Sequence, residues 1–193
     1  MAPKRNTETH KNSPLPKLVA FDLDATLWIP EMYELAGPPF RPAPGKSRQG
    51  KCVEVVDRSG EHICLMGDSF EILKELAQSA QWQDTEIAYV SRTEYPAWAD
   101  ACLKSFAIEC GPRMHDIAAH HEIYPGSKLT HFRRLHERTG INYKDMLFFD
   151  NESWNIKEVA QLGVTCVHTP RGMTWASWQE GLDRHSKQKG PER

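Results

Sequence analysis

The sequence of 193 residues has few cysteines, no long hydrophobic run and almost no net charge. Its five cysteines are odd in number and widely spaced, without a CxxC pair or a finger-like histidine spacing, which argues against a disulfide framework and a zinc module. No apolar stretch approaches the roughly 18 residues that cross a bilayer, and the polar N-terminus does not resemble a signal peptide. These absences predict a soluble protein of a reducing compartment, the cytoplasm or the nucleus.

The charges are balanced, with 24 basic and 26 acidic residues spread along the chain. This balance gives no reason to expect a nucleic-acid groove or an anionic membrane surface as a partner. An anionic substrate would have to be attracted by a local site rather than by the field of the whole molecule. We therefore expect no nucleic acid and no membrane among the partners, and we expect a monomer.

The length suits one domain with a sizeable core, and two compact domains would be cramped. Residues 1–16 are polar and contain three prolines, so they are predicted to form a disordered lead. Residues 183–193 are similarly polar and are predicted to form a flexible tail. One domain, over residues 17–182, is expected between them.

Within this domain, short apolar runs alternate with apolar residues at helical spacing. The alternation predicts a doubly wound, mostly parallel α/β sheet that is covered by helices on both faces. The predicted strands are residues 18–21, 86–90, 146–149 and 164–167, and the predicted helices are residues 69–79, 95–106, 127–138 and 153–162. A proline-rich loop and alternating residues around a turn at 58–61 predict a β-hairpin flap over about residues 38–66.

The strongest local signal is the pair Asp22 and Asp24, which follows the first predicted strand. In a parallel sheet, ligands gather beyond the carboxyl ends of the strands. One carboxylate there could attack an electrophile covalently, and the other could move a proton for the leaving group. The alternative is a helix cap or an Asx turn, which is common where Asp follows a strand.

Three further signals lie at later strand ends or helix starts. The triplet 91–93, Ser-Arg-Thr, offers a hydroxyl and main-chain N–H groups to phosphate oxygens. Lys128 stands at the start of a helix, where a cation is disfavoured unless an anion is near. Residues 150–152, Asp-Asn-Glu, offer oxygens that suit Mg²⁺. Each has an alternative interpretation as a cap or a solvated charge, but their joint occurrence in this order is far more specific.

This order resembles the haloacid dehalogenase (HAD) superfamily, whose motifs are an apolar strand followed by DxDx[TV], then Ser/Thr, Lys and an acidic pair. The segments FDLDATLW, SRT, IYPGSK with the nearby THF, and FFDNE are most similar to its small magnesium-dependent phosphatase family, of the acid phosphatase type. The likeness runs from about residue 17 to residue 172, most of the chain.

The resemblance implies that Asp22 attacks phosphorus to form an aspartyl-phosphate and that Asp24 acts as general acid and base. It implies phosphate contacts from Ser91, Arg92 and Lys128. It also implies that Mg²⁺ is bound by the Asp22 carboxylate, the main-chain carbonyl of Asp24 and the Asp150 carboxylate. The expected enzyme is a phosphoric monoester hydrolase that acts on phosphotyrosine, like a protein tyrosine phosphatase, or on small metabolites such as sugar phosphates.

The interval between Thr26 and Ser91 is too short for a large cap domain, which favours a phosphatase with an open site over a phosphomutase. Two positions depart from the family pattern: Asn151 replaces the second acidic residue of the last motif, and Ala25 is small. Aromatic residues more often belong to a core than to a contact surface, but several are candidates for the entrance: Trp28, Tyr33, Trp98 and Trp175.

Two rival functions share parts of this pattern. A two-component receiver domain has its phosphoacceptor on a later strand than its metal-binding pair, and the order of motifs here argues against it. A non-catalytic phosphoprotein-binding domain of the same fold is the second rival, because a fold alone does not prove a function.

Overall fold

The computed structural model describes residues 14–43, 54–108 and 111–189. The strands are β1 (Leu18–Phe21), β2 (Trp28–Ile29), β3 (Arg41–Pro42), β4 (Val55–Val56), β5 (His62–Leu65), β6 (Glu86–Ser91), β7 (His120–Ile123), β8 (Met146–Asp150) and β9 (Thr165–His168). The helices are α1 (Ser69–Gln78), α2 (Pro96–Ser105), α3 (Met114–Ile117), α4 (Lys128–Thr139), α5 (Ser153–Ala160) and α6 (Trp175–Lys189).

The centre of the molecule is a parallel sheet of five strands in the order β7-β6-β1-β8-β9. Alternate residues of β1 face opposite layers, as the strand period of two requires. Val19 packs in the layer that contains α1, α2 and α6, while Leu18 packs in the layer that contains α4 and α5. The predicted doubly wound α/β fold is therefore confirmed.

The predicted strands and helices all occur, with ends that shift by up to two residues. Strand β7 was not predicted, because its sequence HHEI lacks an apolar run. It lies at an edge of the sheet, where His120 and His121 remain partly exposed. An edge strand is not covered on every side and does not need the apolar sequence of a central strand.

The prediction of a flexible tail from residue 183 is wrong for the residues that the structure describes. Helix α6 continues to Lys189. Leu182 and His185 are buried, so the helix keeps a contact face beyond the predicted boundary. The predicted lead at residues 1–13 and the tail at residues 190–193 lie outside the described residues.

A second, antiparallel sheet has the strand order β2-β5-β4-β3 and contains the predicted hairpin as β4 and β5. The hairpin turn is organised by Asp57, whose carboxylate accepts main-chain N–H groups of Ala36 (2.6 Å), Ser59 (2.8 Å) and Glu61 (3.0 Å). Residues 44–53, which belong to the predicted flap, lie outside the described residues.

The loop that follows β1 is joined by main-chain hydrogen bonds to the end of β5 in the small sheet and to the segment between β9 and α6. The N–H of Met66 donates to the carbonyl of Leu27 at 2.8 Å, and that of Met173 donates to the carbonyl of Thr26 at 3.1 Å. Gly67 adopts a left-handed φ of 51°, and a Cβ atom there would lie 2.1 Å from the carbonyl oxygen of Met173. Only glycine fits this approach.

No helix among the described residues is both long and apolar enough to pass through a membrane.

Candidate active site

The sequence-predicted residues meet at the carboxyl ends of three neighbouring strands, β6, β1 and β8. Asp22 follows β1, Ser91 ends β6, Asp150 ends β8, and Lys128 begins α4. A cavity of about 350 Å³ opens at this edge. Of the predicted residues, its lining includes Asp22, Asp24, Ser91, Arg92, Lys128 and Asn151.

Lys128 is fully buried and lies between two carboxylates. Its Nζ atom is 2.6 Å from Oδ1 of Asp22 and 3.3 Å from Oδ2 of Asp150, and it also donates to the carbonyl of Val90 at 2.5 Å. A buried ammonium needs such partners, because an unpaired charge in the interior is costly. The alternative interpretation of Lys128 as a solvated surface residue is therefore wrong.

The electrostatic balance around Asp22 is incomplete without a further cation. Burial raises the pKa of its carboxyl group, Lys128 lowers it and Asp150 raises it, and the resulting pKa is about 7. Lys128 therefore offsets only part of the cost of holding two carboxylates in this interior. A further positive charge beside Asp22 would favour its ionised form.

The Asp24 carboxylate is held by groups of the following loop. Its Oδ1 atom accepts hydrogen bonds from Nε1 of Trp28 at 2.7 Å and from the N–H of Met32 at 3.2 Å. Burial raises the pKa of Asp24, although these two hydrogen bonds act in the opposite direction. A carboxyl group with a raised pKa keeps its proton at higher pH and can serve as a proton donor.

Thr26 connects Asp22 to the end of β8. Its buried hydroxyl oxygen lies 3.2 Å from Oδ2 of Asp22 and 3.3 Å from Oδ1 of Asn151, and it accepts the N–H of Asn151 at 3.0 Å. Asn151, which stands where the family pattern has a second acidic residue, is thus linked through Thr26 to the loop after β1. The sequence reasoning did not single out Thr26, although its place in DxDx[TV] is the available signal.

The second predicted motif lies on the other side of Asp22. Ser91 is buried and its hydroxyl accepts the N–H of Thr93 at 3.2 Å. Arg92 lies at the rim, where its Nε atom donates to the carbonyl of Gly126 at 2.7 Å and its guanidinium group stacks 4.3 Å from the ring centroid of Trp154. Both residues therefore line the same cavity, Ser91 at its floor and Arg92 at its edge.

The donor groups at the base of the site fit a hard divalent cation. Asp150 is fully buried, and its oxygens accept hydrogen bonds from the N–H of Glu152 (2.7 Å) and from Nδ2 of Asn155 (2.9 Å), which hold the carboxylate in a fixed orientation. Oδ1 of Asn155 is buried without a hydrogen-bond partner among the described residues. Carboxylates, carbonyl oxygens and ligated water are the environment that Mg²⁺ prefers.

The rim of the cavity differs from the one expected. Tyr33 lines it, but Trp28, Trp98 and Trp175 do not, and Trp28 is fully buried. Trp154, which is 47% exposed, lines the cavity and was not anticipated from the sequence. Other lining residues that sequence reasoning missed are Glu31, Glu94, Tyr95 and Asn155.

The chain was compared with known proteins. A family model described as Acid Phosphatase matches residues 14–188. Magnesium-dependent phosphatase 1 of Homo sapiens is 41% identical over 178 residues, which cover 92% of each chain. A HAD-like hydrolase superfamily protein of Schizosaccharomyces pombe is 35% identical over 158 residues, covering 80% of this chain and 86% of that protein.

Two solved structures share the fold at low sequence identity. CbbY of Rhodobacter sphaeroides, in complex with phosphate, has a TM-score of 0.57 and 12% identity, with 88% of this chain and all of that chain covered. The phosphatase domain of BF1531 of Bacteroides fragilis, in complex with Mg, has a TM-score of 0.52 and 17% identity, with 88% of this chain and 39% of that chain covered. The family match, which spans nearly the whole chain, and the two relatives show that this protein belongs to the acid phosphatase family of HAD-like hydrolases.

Proposed function

We propose that this protein is a magnesium-dependent phosphatase that hydrolyses phosphate monoesters through an aspartyl-phosphate on Asp22. The observation that carries the proposal is the contact of Asp22 with Lys128 at 2.6 Å, with Asp150 on the other side of the same ammonium group. The name of the human relative, Magnesium-dependent phosphatase 1, supports the same activity and cofactor.

In the first step, a carboxylate oxygen of Asp22 forms a bond to phosphorus while the bond from phosphorus to the ester oxygen breaks. Asp24 gives its proton to the departing oxygen, which leaves as an alcohol or phenol. Lys128 and the hydroxyl of Ser91 hold the phosphoryl oxygens in line for this transfer. Positioning and charge neutralisation of this kind carry most of the catalysis in phosphoryl transfer.

In the second step, Asp24 is ionised and removes a proton from an incoming water molecule. The water oxygen forms a bond to phosphorus, and the bond from phosphorus to the Asp22 oxygen breaks. Inorganic phosphate leaves, Asp22 is again a carboxylate, and Asp24 again carries a proton. The chain therefore returns to its starting state without a further reactant.

The cation would be held by the carboxylates of Asp22 and Asp150 and by the main-chain carbonyl of Asp24. When bound, it supplies positive charge that favours the ionised form of Asp22 and lets an anionic substrate approach an anionic nucleophile. The raised pKa of Asp22, about 7, supports this assignment because Lys128 alone leaves that carboxyl group incompletely neutralised.

The open cavity supports substrates that present a phosphate group at the end of a larger body. Tyr33 is 65% exposed and Trp154 is 47% exposed, and both line the cavity. Exposed aromatic rings stack on planar or partly apolar groups. We therefore include phosphotyrosine on proteins, as well as small phosphorylated metabolites such as sugar phosphates, in the proposed substrate range.

The proposal includes a monomer in the cytoplasm or the nucleus. Two cysteines of the described part, Cys102 and Cys166, are free, which is in accord with a reducing compartment.

The mechanism is tested with p-nitrophenyl phosphate, whose leaving group needs little protonation. In Asp24→Asn, the first step should proceed while the second slows by about 10²- to 10⁴-fold, the usual range for loss of a general base. Protein quenched in acid should then carry one covalently bound phosphoryl group by mass spectrometry. Asp22→Asn should neither turn over substrate nor carry the label.

Asp84→Asn is the matched control, because Asp84 is exposed and lies outside the cavity. It should retain full activity that chelation of magnesium abolishes. Full activity of Asp22→Asn, or equal activity after chelation, would overturn the mechanism. If the unchanged protein bound phosphopeptides but hydrolysed no phosphate ester, the phosphoprotein-binding function would be the correct one.

A further inference from the structure

A cluster of three metal-ligating side chains lies at the edge of the parallel sheet, outside the active-site cavity. Asp100 is on α2, His115 is on α3 and His121 is on the edge strand β7. One possible ligand atom from each residue lies within 4.8 Å of those of the other two. None of the three lines the cavity beside Asp22.

His115 and Asp100 have a separation that suits two ligands of one metal ion. Nε2 of His115 is 3.5 Å from Oδ1 of Asp100, which is longer than an ordinary hydrogen bond. Bonds of 2.0–2.1 Å to a tetrahedral zinc ion place two ligand atoms about 3.3 Å apart. This pair therefore stands near the length of one edge of such a tetrahedron.

The other nitrogen of each imidazole already has an acceptor. Nδ1 of His115 is 3.1 Å from Oδ1 of Asp116, and Nε2 of His121 is 3.1 Å from the carbonyl of His115 and 3.2 Å from that of Ala118. Each ring can thus donate its one proton to a fixed oxygen. The remaining nitrogens, Nε2 of His115 and Nδ1 of His121, then carry lone pairs. Ligating histidines in proteins have this second contact in almost every case, since it fixes the tautomer and the ring orientation.

The cluster is accessible to an ion from solution. The side chain of Asp100 is 41% exposed and that of His115 is 33% exposed. The second carboxylate oxygen of Asp100 accepts a hydrogen bond from Nζ of Lys104 at 2.7 Å, which leaves Oδ1 as its oxygen toward His115. The two imidazole rings lie in edge contact, with centroids 4.6 Å apart and an interplanar angle of 64°.

We propose that Asp100, His115 and His121 form a binding site for Zn²⁺, separate from the phosphatase centre. Two imidazole nitrogens and one carboxylate oxygen select a borderline transition-metal ion over Mg²⁺, which prefers oxygen ligands alone. Three protein ligands leave a fourth tetrahedral position for water. The ion would link α2 and α3 to the edge strand β7. Because residues 92–95, between β6 and α2, line the cavity, this link would also fix one wall of the cavity.

The test uses the full chain in excess Mg²⁺, which keeps the acidic active site supplied with its own cation. Co²⁺ replaces Zn²⁺ as a spectroscopic probe, since tetrahedral cobalt absorbs visible light far more strongly than octahedral cobalt. We expect one tetrahedral Co²⁺ per chain, displaced by Zn²⁺ in a competition titration. Asp100→Asn, His115→Gln and His121→Gln should each weaken Zn²⁺ binding by more than about 100-fold, and Asp116→Asn should weaken it by about 10- to 100-fold.

His136→Gln is the matched control, because His136 lies on α4 and contacts the carbonyl of Ile141 instead. It should bind Zn²⁺ like the unchanged protein. Since Asp100 is partly exposed on α2, Asp100→Asn should fold even if a histidine variant does not. Equal Zn²⁺ affinity in Asp100→Asn, or a purely octahedral cobalt spectrum in the unchanged protein, would overturn the proposal.

Discussion

Replacing Lys128 with methionine removes the cation between two carboxylates while keeping an unbranched side chain of similar length. The loss is large because Lys128 is fully buried, within 2.6 Å of Asp22 and 3.3 Å of Asp150. Removing one partner of a buried ion pair destabilises a protein by about 3–5 kcal/mol. We expect a decrease of that size in the free energy of unfolding at neutral pH without a metal ion.

The size of this decrease should depend on pH. With Lys128 in place, burial already raises the pKa of Asp22 to about 7, above the usual value of 3.8. Without the ammonium group the folded-state pKa rises further, so the folded variant binds more protons than the unfolded chain over a wider range. The destabilisation should therefore be greatest above pH 7 and should shrink as the pH falls and the Asp22 carboxyl group becomes neutral.

Urea unfolding followed by circular dichroism between pH 5 and pH 8, with and without Mg²⁺, measures this difference. Magnesium should restore part of the lost stability, because a divalent cation replaces some of the missing positive charge. Lys157→Met is the control, since Lys157 is exposed on α5 and its replacement should change stability by less than about 0.5 kcal/mol. A decrease below about 1 kcal/mol for Lys128→Met, or one independent of pH, would refute the reasoning.

Three further substitutions test other parts of the structure. Burial raises the pKa of Asp57, but hydrogen bonds outweigh burial and lower this pKa from 3.8 to about 2. In urea unfolding, Asp57→Asn should therefore lower the free energy of unfolding by about 2 kcal/mol above pH 4 and by almost nothing near pH 2. Thr26→Val leaves the N–H of Asn151 without its acceptor, and should lower the unfolding free energy by about 1–3 kcal/mol and reduce kcat. Gly67→Ala should lower the thermal midpoint by several degrees, because its Cβ would lie 2.1 Å from the Met173 carbonyl oxygen; an unchanged midpoint would contradict this close approach.

The position of the candidate site was predictable because sequence order determines which residues end the parallel strands. Asp22 and Asp150 each follow an apolar run, and in a parallel sheet such ends meet at one edge. Lys128 was harder to interpret, since a lysine at a helix start is usually exposed. Its two carboxylate partners come from residues 106 positions earlier and 22 positions later, a pairing that only the folded chain creates.

The rim of the cavity was not predictable from residue types. Trp28 and Trp154 are chemically identical. Trp28 is fully buried and its Nε1 donates a hydrogen bond to Asp24, whereas Trp154 lies in the first turn of α5 beside the cavity. Local sequence does not encode which of two tryptophans points into a core. Strand β7 was not predicted for a related reason, because an edge strand that begins with two histidines lacks an apolar pattern.

The hydrogen bonds that join the small sheet to the loop after β1 have a consequence for water. Met66 and Met173 bind the main chain of Leu27 and Thr26, and Gly67 is packed against the same region without room for a side chain. The loop after β1, which carries the cavity-lining Asp24, is therefore held in place by main-chain hydrogen bonds at its far end. In the proposed mechanism water has to reach the phosphorylated Asp22, and an open cavity beside a fixed loop admits it. A phosphoryl transferase has to suppress such access, whereas for a hydrolase it delivers the second reactant.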